Sequence, residues 1–201
     1  SELVSLNVSN VDEAAPTVTS GDTASVVDEN SGEGQWVYTA AADDSADISG
    51  GVSFSLADSD TGFSIDSETG AVTTNADFIA DYEASSQQVF TVIATDAAGF
   101  SSEKTIALVI NNLDEISPEV TSADSSDSIN ENSGAGQVIY TATATDGADV
   151  SGGFSFSLAD SSDSAVSIDA NTGEVTLADN PDFEGQSEYS FTVVATDAAG
   201  N

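Results

Sequence analysis

The chain has 201 residues, with 36 Asp and Glu against one Lys, no His, no Cys and no Met, for a formal charge of −35. With Lys104 as the single cation, a basic footprint for nucleic acid cannot be built, and an anionic membrane surface would repel the chain. The lack of His and Cys removes imidazole general bases, thiol nucleophiles and zinc sites of the usual ligand type.

No apolar run approaches the roughly 18 residues of a membrane helix, and no signal segment opens the chain, so the expectation is a soluble excerpt or processed product without membrane insertion. High charge with modest hydrophobicity is also a signature of disorder. Period-2 stretches argue against disorder here: in 189–195, Tyr189, Phe191, Val193 and Ala195 would share one face.

In chain order, Val4, Leu6 and Val8 alternate ahead of Asn10-Val-Asp-Glu-Ala-Ala-Pro16. Strand signals follow at 17–27 and at 36–42, where Trp36, Tyr38, Ala40 and Ala42 are expected to point inward. Further strands are expected at 52–56, 63–65 and 71–74, the last after a Thr69-Gly70 turn in which Gly supplies a left-handed backbone. Strands at 89–95 and 104–111 close the set, with Ile106, Leu108 and Ile110 inward.

The pattern then repeats. Val52-Ser-Phe-Ser-Leu-Ala-Asp58 returns at Phe154–Asp160, Ser64-Ile-Asp-Ser-Glu-Thr-Gly70 at 167–173, Ala94-Thr-Asp-Ala-Ala-Gly99 at 195–200, and Asp28-Glu-Asn-Ser-Gly32 at 130–134, always 101 to 103 residues on. The closing motif 106–118 echoes 4–16 in the same way. The chain therefore reads as all-β, two tandem Greek-key sandwiches. Residues 1–15 are a closing strand and linker of a preceding repeat, 16–117 are repeat one, and 118–201 are repeat two without its own closing strand. Either the segment is an excerpt of a longer array, or its first strand completes a domain of a neighbouring chain by strand donation.

Acidic residues recur at matching places near the expected domain ends. Glu29 lies in an Asp-Glu-Asn turn, Asp81 and Glu83 in Asp-Tyr-Glu, Asp114 and Glu115 in the linker, Asp146 and Asp149 after the second strand of repeat two, and Asp197 after its sixth. Hard, oxygen-seeking Ca²⁺ takes six to eight such ligands. Asp12, Glu13, Asp44, Asp47 and Asp96 form a matching receiving side toward an upstream neighbour, and Glu131, Asp182 and Glu184 a donating side toward a downstream one. Asp96 and Asp197 also suit turn capping, as do Asp66 and Asp169. Tyr38/Tyr140, Phe54/Phe156 and Phe90/Phe191 read as core, and Trp36, aligned with Val138, reads as core rather than as a sugar platform.

On these residues the chain resembles the cadherin repeat, specifically the cadherin-like repeats of large bacterial surface adhesins. Glu29 looks like the family's Glu in a Pro-Glu-Asn-like turn, Asp81 and Glu83 like its Asp-x-Glu, Asn112-Leu-Asp-Glu-Ile-Ser-Pro118 like its linker, and Asp146 like the start of its Asp-x-Asp. The resemblance implies one or two Ca²⁺ ions per junction, held by these side chains with the carbonyls of Leu113 and Ile116 as added donors. It implies a non-enzymatic, extracellular, calcium-rigidified adhesion or filament segment that assembles head to tail with repeats of its own kind. The alternative is a calcium-dependent carbohydrate-binding module with a surface glycan as ligand. An enzyme working through a carboxylate pair is the remaining rival, and short-looped sandwiches seldom form the cleft it needs.

Overall fold

In a computed structural model, the structure describes residues 2–46, 48, 50–147, 150 and 152–201. Among these there is no helix. The chain divides into two compact units, Ser1–Asn112 and Leu113–Asn201.

In unit one the strands are β1 (Thr17–Val18), β2 (Val27–Asp28), β3 (Trp36–Thr39), β4 (Ala42–Asp43), β5 (Val52–Leu56), β6 (Phe63–Ile65), β7 (Ala71–Thr74), β8 (Gln87–Asp96) and β9 (Ser101–Asn111). They pair as a four-stranded sheet, β2-β9-β8-β5, a three-stranded sheet, β3-β7-β6, and the short pair β1-β4. The long antiparallel ladder of β8 and β9 forms the spine. Alternation along it buries Phe90, Val92 and Ala94 from one strand and Ile106, Leu108 and Ile110 from the other, all at 1% exposure or less. Full burial of each large side chain contributes about 1.5–3 kcal/mol. Phe90 is the hub, with its ring 4.7 Å from that of Phe63 and 5.8 Å from that of Tyr38.

Two sequence expectations need correction here. Trp36 does not point inward: it is 57% exposed, while Val37 and Tyr38 are both buried and Ala42 is partly so. The cause is a register shift between Trp36 and Tyr38 in the β3–β7 ladder, which breaks strict alternation. Val138, its counterpart, is 52% exposed beside a similar shift between Val138 and Tyr140. The expected strand over 17–27 is present only at its ends, as β1 and β2.

Gly70 closes the β6–β7 connection at φ 71°, where an added Cβ would lie 2.5 Å from the Ala40 carbonyl oxygen. Glycine is required there both for conformation and for space.

Unit two holds β10 (Glu119–Val120), β11 (Gln137–Thr141), β12 (Ala144–Thr145), β13 (Phe154–Leu158), β14 (Val166–Ile168), β15 (Glu174–Leu177) and β16 (Val193–Asp197). Its sheets are β11-β15-β14, β13-β16 and β10-β12. The strand reading of 189–195 holds only from Val193 onward. Tyr189 and Phe191 still face the interior, but their stretch makes no ladder, and Phe191 is only partly buried where Phe90 is sealed. The buried cluster of this unit shrinks to Val166, Val175 and Leu177.

Candidate metal centres

The first acidic cluster is built by three chain segments of unit one. Asn30 takes a left-handed φ of 57° at the turn after β2, a conformation Asn tolerates better than most residues. Its amide donates to the Ala80 carbonyl at 3.0 Å, and the Glu29 amide donates to the Asn111 carbonyl at 3.0 Å. Glu29 is thereby pinned between β9 and the 80–83 loop at 2% exposure, and its Oε2 accepts the Tyr82 amide at 2.9 Å. Asp81 Oδ1 accepts the Ala84 amide at 2.9 Å. Ligand oxygens of Glu29, Asp81 and Glu83 lie within 4.8 Å of one another.

Unit two repeats this arrangement in Glu131, Asp182 and Glu184, also within 4.8 Å. Asn132 again has positive φ, 58°, and its amide donates to the Pro181 carbonyl at 2.8 Å. Here all three carboxylates are exposed, and the Phe183 amide reaches Glu131 Oε2 only at 3.4 Å. The difference traces to the sheet edge: β2 rests on β9 in unit one, and among the described residues of unit two no strand takes the place of β9.

A third cluster, inside unit two, gathers Asp114, Asp146 and Asp197. Asp197 has two roles, one per oxygen. Oδ1 caps the turn by accepting the Gly200 amide at 2.7 Å and the Asn201 amide at 2.8 Å, while Oδ2 accepts the Asn201 side-chain amide at 3.1 Å. Burial pushes the Asp197 carboxyl up, but the Asn201 backbone and side-chain donors, with the Gly200 and Ala199 amides, outweigh it and hold the group below the usual carboxylate range. The Asn201 side chain also donates to the Asp114 carbonyl at 2.8 Å. Asn201 was missed in the sequence, where Phe100 stands at the matching position of the first copy.

The counterparts in unit one are Asp12, Asp44 and Asp96, which do not form such a close triad among the described residues. Asp96 Oδ1 caps its turn through the Gly99 and Phe100 amides at 2.7 and 2.9 Å. Asp44 and Asp96 are 8% and 6% exposed, and the buried Oδ2 of each has no hydrogen-bond partner. Glu13 and Glu115 are exposed and join none of the three clusters. Asp47 and Asp149 lie outside the described residues.

The donor sets are all oxygen, which suits a hard cation such as Ca²⁺ rather than a soft metal. Two full charges 4–5 Å apart near a protein surface repel by roughly 3–4 kcal/mol. A buried carboxylate oxygen without a donor adds a desolvation cost that a cation would offset. The residues present therefore fit Ca²⁺.

Residues 126–201 match the cadherin domain. The chain is also 32% identical over 140 residues to human (Homo sapiens) protocadherin-23, an alignment covering 68% of this chain and 4% of that protein. Mouse (Mus musculus) protocadherin Fat 4 is 32% identical over 139 residues, 67% of this chain and 3% of that protein. Among solved structures, mouse cadherin-23 EC22-24 superposes with a TM-score of 0.59 at 26% identity, covering 94% of this chain and 62% of that one. Human CDH23 EC21-23 does so with a TM-score of 0.54 at 26% identity, covering 97% and 62%. The all-β architecture is thus a cadherin-like β-sandwich fold, about two domains long. Cadherin domains are non-enzymatic extracellular adhesion modules that bind Ca²⁺.

Proposed function

We propose that this chain is a segment of an extracellular adhesion protein in which neighbouring cadherin-like repeats are held stiff by shared Ca²⁺. The observation that carries this reading is the recurrence of one carboxylate cluster, Glu29/Asp81/Glu83 and Glu131/Asp182/Glu184, at matching places in both units. Chance acidic loops on an acidic surface would not be expected to repeat residue type, turn conformation and amide support together.

In this proposal Glu29, Asp81 and Glu83, with Asp114, Glu115, Asp146, Asp149 and Asp197, supply the ligands at the seam between the repeats. Asp12, Glu13, Asp44, Asp47 and Asp96 serve a preceding neighbour, and Glu131, Asp182 and Glu184 a following one. Bound Ca²⁺ supplies charge neutralisation and a tie between segments that otherwise repel. The protein's part is to hold the carboxylates ready: Tyr82 and Ala84 amides fix Glu29 and Asp81, and the 96–100 turn leaves one Asp96 oxygen to spare.

Placement on a bacterial surface draws on the resemblance to bacterial adhesin repeats alone, while the relatives named above are human and mouse proteins. A carbohydrate-binding reading draws on the exposed Trp36, although Val138 fills that position in unit two and offers no stacking face. Calcium titration of the intact chain by calorimetry tests the main reading: saturable binding lost in the Glu29→Gln/Asp81→Asn variant supports it, and absence of heat at millimolar Ca²⁺ defeats it. Glycan-array binding by the wild-type chain would favour the second.

A further inference from the structure

Beyond β12 the chain leaves its ladder and runs through Asp146 and Gly147, neither of which belongs to a strand. Asp146-Gly147 is the one Asp-Gly pair in the sequence, and there is no Asn-Gly pair. Asp146 is half-buried, with a carboxylate oxygen within 4.8 Å of those of Asp114 and Asp197, and Gly147 is exposed. The third acidic cluster thus places one of its side chains directly before the residue that obstructs a preceding carboxyl least, because glycine has no Cβ and a freely turning backbone.

Unit one has no such pair. At the matching position Ser45 follows the buried Asp44, and the Ser45 amide is engaged by Asp43 Oδ1 at 3.0 Å. In unit two Thr145 stands where Asp43 does and Gly147 where Ser45 does, so both the carboxylate that occupies the amide and the side chain that shields it are absent. The copies differ here in the two features that govern attack by a backbone nitrogen on the carboxyl of the residue before it.

We propose that Asp146-Gly147 is a modification site, at which the ion-free protein converts a carboxylate of the third cluster into isoaspartate. The Gly147 nitrogen attacks Asp146 Cγ. A C–N bond forms, a Cγ–O bond breaks, and the oxygen leaves as water with the amide proton and a proton from solvent. Water then opens the resulting succinimide ring. Cleavage at the Asp146 main-chain carbonyl carbon leaves the chain running through Cγ with a carboxylate on Cα, while cleavage at Cγ restores aspartate. Either opening consumes the water and releases a proton, and no oxidant or reductant is needed. Isoaspartate lengthens the main chain by a carbon and shortens the side chain by one, which moves the carboxylate out of its place beside Asp114 and Asp197. Ligation of Ca²⁺ by Asp146 would tie up the oxygen that has to leave, so the modified fraction records time spent without the ion. That protection rests on the calcium reading, whereas the modification itself does not.

The intact chain is kept for weeks in warm neutral buffer made with heavy-oxygen water, in chelator and in Ca²⁺, and its peptides are mapped by mass spectrometry. Each passage through the ring marks the residue with solvent oxygen, and fragmentation separates isoaspartate from aspartate. The expected result in chelator is label and isoaspartate at residue 146 ahead of every Asp-Ser pair, including Asp44-Ser45 and the exposed Asp58-Ser59. Gly147→Ala should bring residue 146 down to the level of those pairs. That variant should fold, because Gly147 lies outside the left-handed region and nothing comes within 4 Å of an added Cβ. The rate should fall with the unbound fraction, roughly a hundredfold when Ca²⁺ stands at a hundred times its dissociation constant. No isoaspartate at 146 in chelator, a rate no higher than at Asp58-Ser59, or a folded Gly147→Ala variant that is modified as fast as the parent would overturn the proposal. Equal rates in chelator and in Ca²⁺ would overturn the protection where calorimetry detects binding; where it detects none, they would count against the calcium reading and leave the modification standing.

Discussion

The Glu29 carboxylate accepts the Tyr82 amide at 2.9 Å, joining the end of β2 to the Asp81-Tyr82-Glu83 loop 53 residues further along. The loop amide thus aims the buried carboxylate at its two acidic neighbours. Glu29→Gln keeps the shape and the acceptor oxygen but removes a charge, and is expected to weaken Ca²⁺ binding by roughly tenfold or more, about 1.4 kcal/mol. Glu131→Gln, at the exposed counterpart, should cost less. Calorimetric titration of the two variants side by side checks the order, and a larger loss for Glu131→Gln would contradict it.

Ca²⁺ removal should destabilise the chain by linkage between binding and folding. A ligand at a hundred times its dissociation constant stabilises by about 2.7 kcal/mol, and each kcal/mol moves the melting temperature of a domain of this size by about 4–8 °C. Chelation is therefore expected to lower Tm by roughly 10–20 °C, read by circular dichroism at fixed ionic strength so that screening is not mistaken for binding.

The pH response has two opposing parts. Asp66 is held below the ordinary carboxylate range by the Thr69 amide, then the Thr69 hydroxyl and the Glu68 amide, and Asp169 by the Thr172 and Asn171 amides and the Thr172 hydroxyl. Asp197 is also held low, its amide donors outweighing burial. A depressed folded pKa contributes stability that is complete above the unfolded value of about 3.9 and is lost as pH falls through the folded one. In chelator, stability should rise or stay level as pH drops from 7 toward about 5, while general carboxylate repulsion relaxes, and then fall below about pH 4. Thermal melts across this range check the turn, and a continued rise through pH 3 would contradict it.

The outward turn of Trp36 separates two core variants. Phe90→Ala removes the ring at the hub of the unit-one core and should cost about 3–5 kcal/mol. Trp36→Ser should stay within about 0.5–1 kcal/mol despite the loss of a larger side chain, because the ring is mostly in water. Denaturant melts decide this, and comparable losses would restore Trp36 to the core.

Much of the fold is legible in the sequence wherever strict alternation governs packing. Ile106, Leu108 and Ile110 face inward as read, and the 52–56, 63–65 and 71–74 strands occur at the expected positions. Alternation misleads at Trp36 because an added residue in the ladder, invisible to period-2 counting, puts Val37 and Tyr38 on the same side. It overreaches at Tyr189–Thr192 because a strand exists through a ladder of hydrogen bonds with a neighbour, and there the Asp163 and Ala159 amides reach the Ser190 and Thr192 carbonyls without forming one. Within the clusters, the recurring Glu and Asp-x-Glu positions single out residues that the fold then draws together from 50 residues apart. The share of Asn201 in the third cluster had no counterpart in the first copy to reveal it. Turn capping and metal ligation looked like rival roles for Asp96 and Asp197, yet in Asp96 the two carboxylate oxygens separate them, one bonded and one spare.

The most direct measurement is small-angle X-ray scattering of the chain, extrapolated to infinite dilution and recorded in millimolar Ca²⁺ and again after chelation at matched ionic strength. A stiffening ion predicts a profile fitted by one conformer with Ca²⁺ and a broadened distribution of dimensions without it, the change being abolished in Glu29→Gln/Asp81→Asn. Superimposable profiles in both conditions would contradict the account.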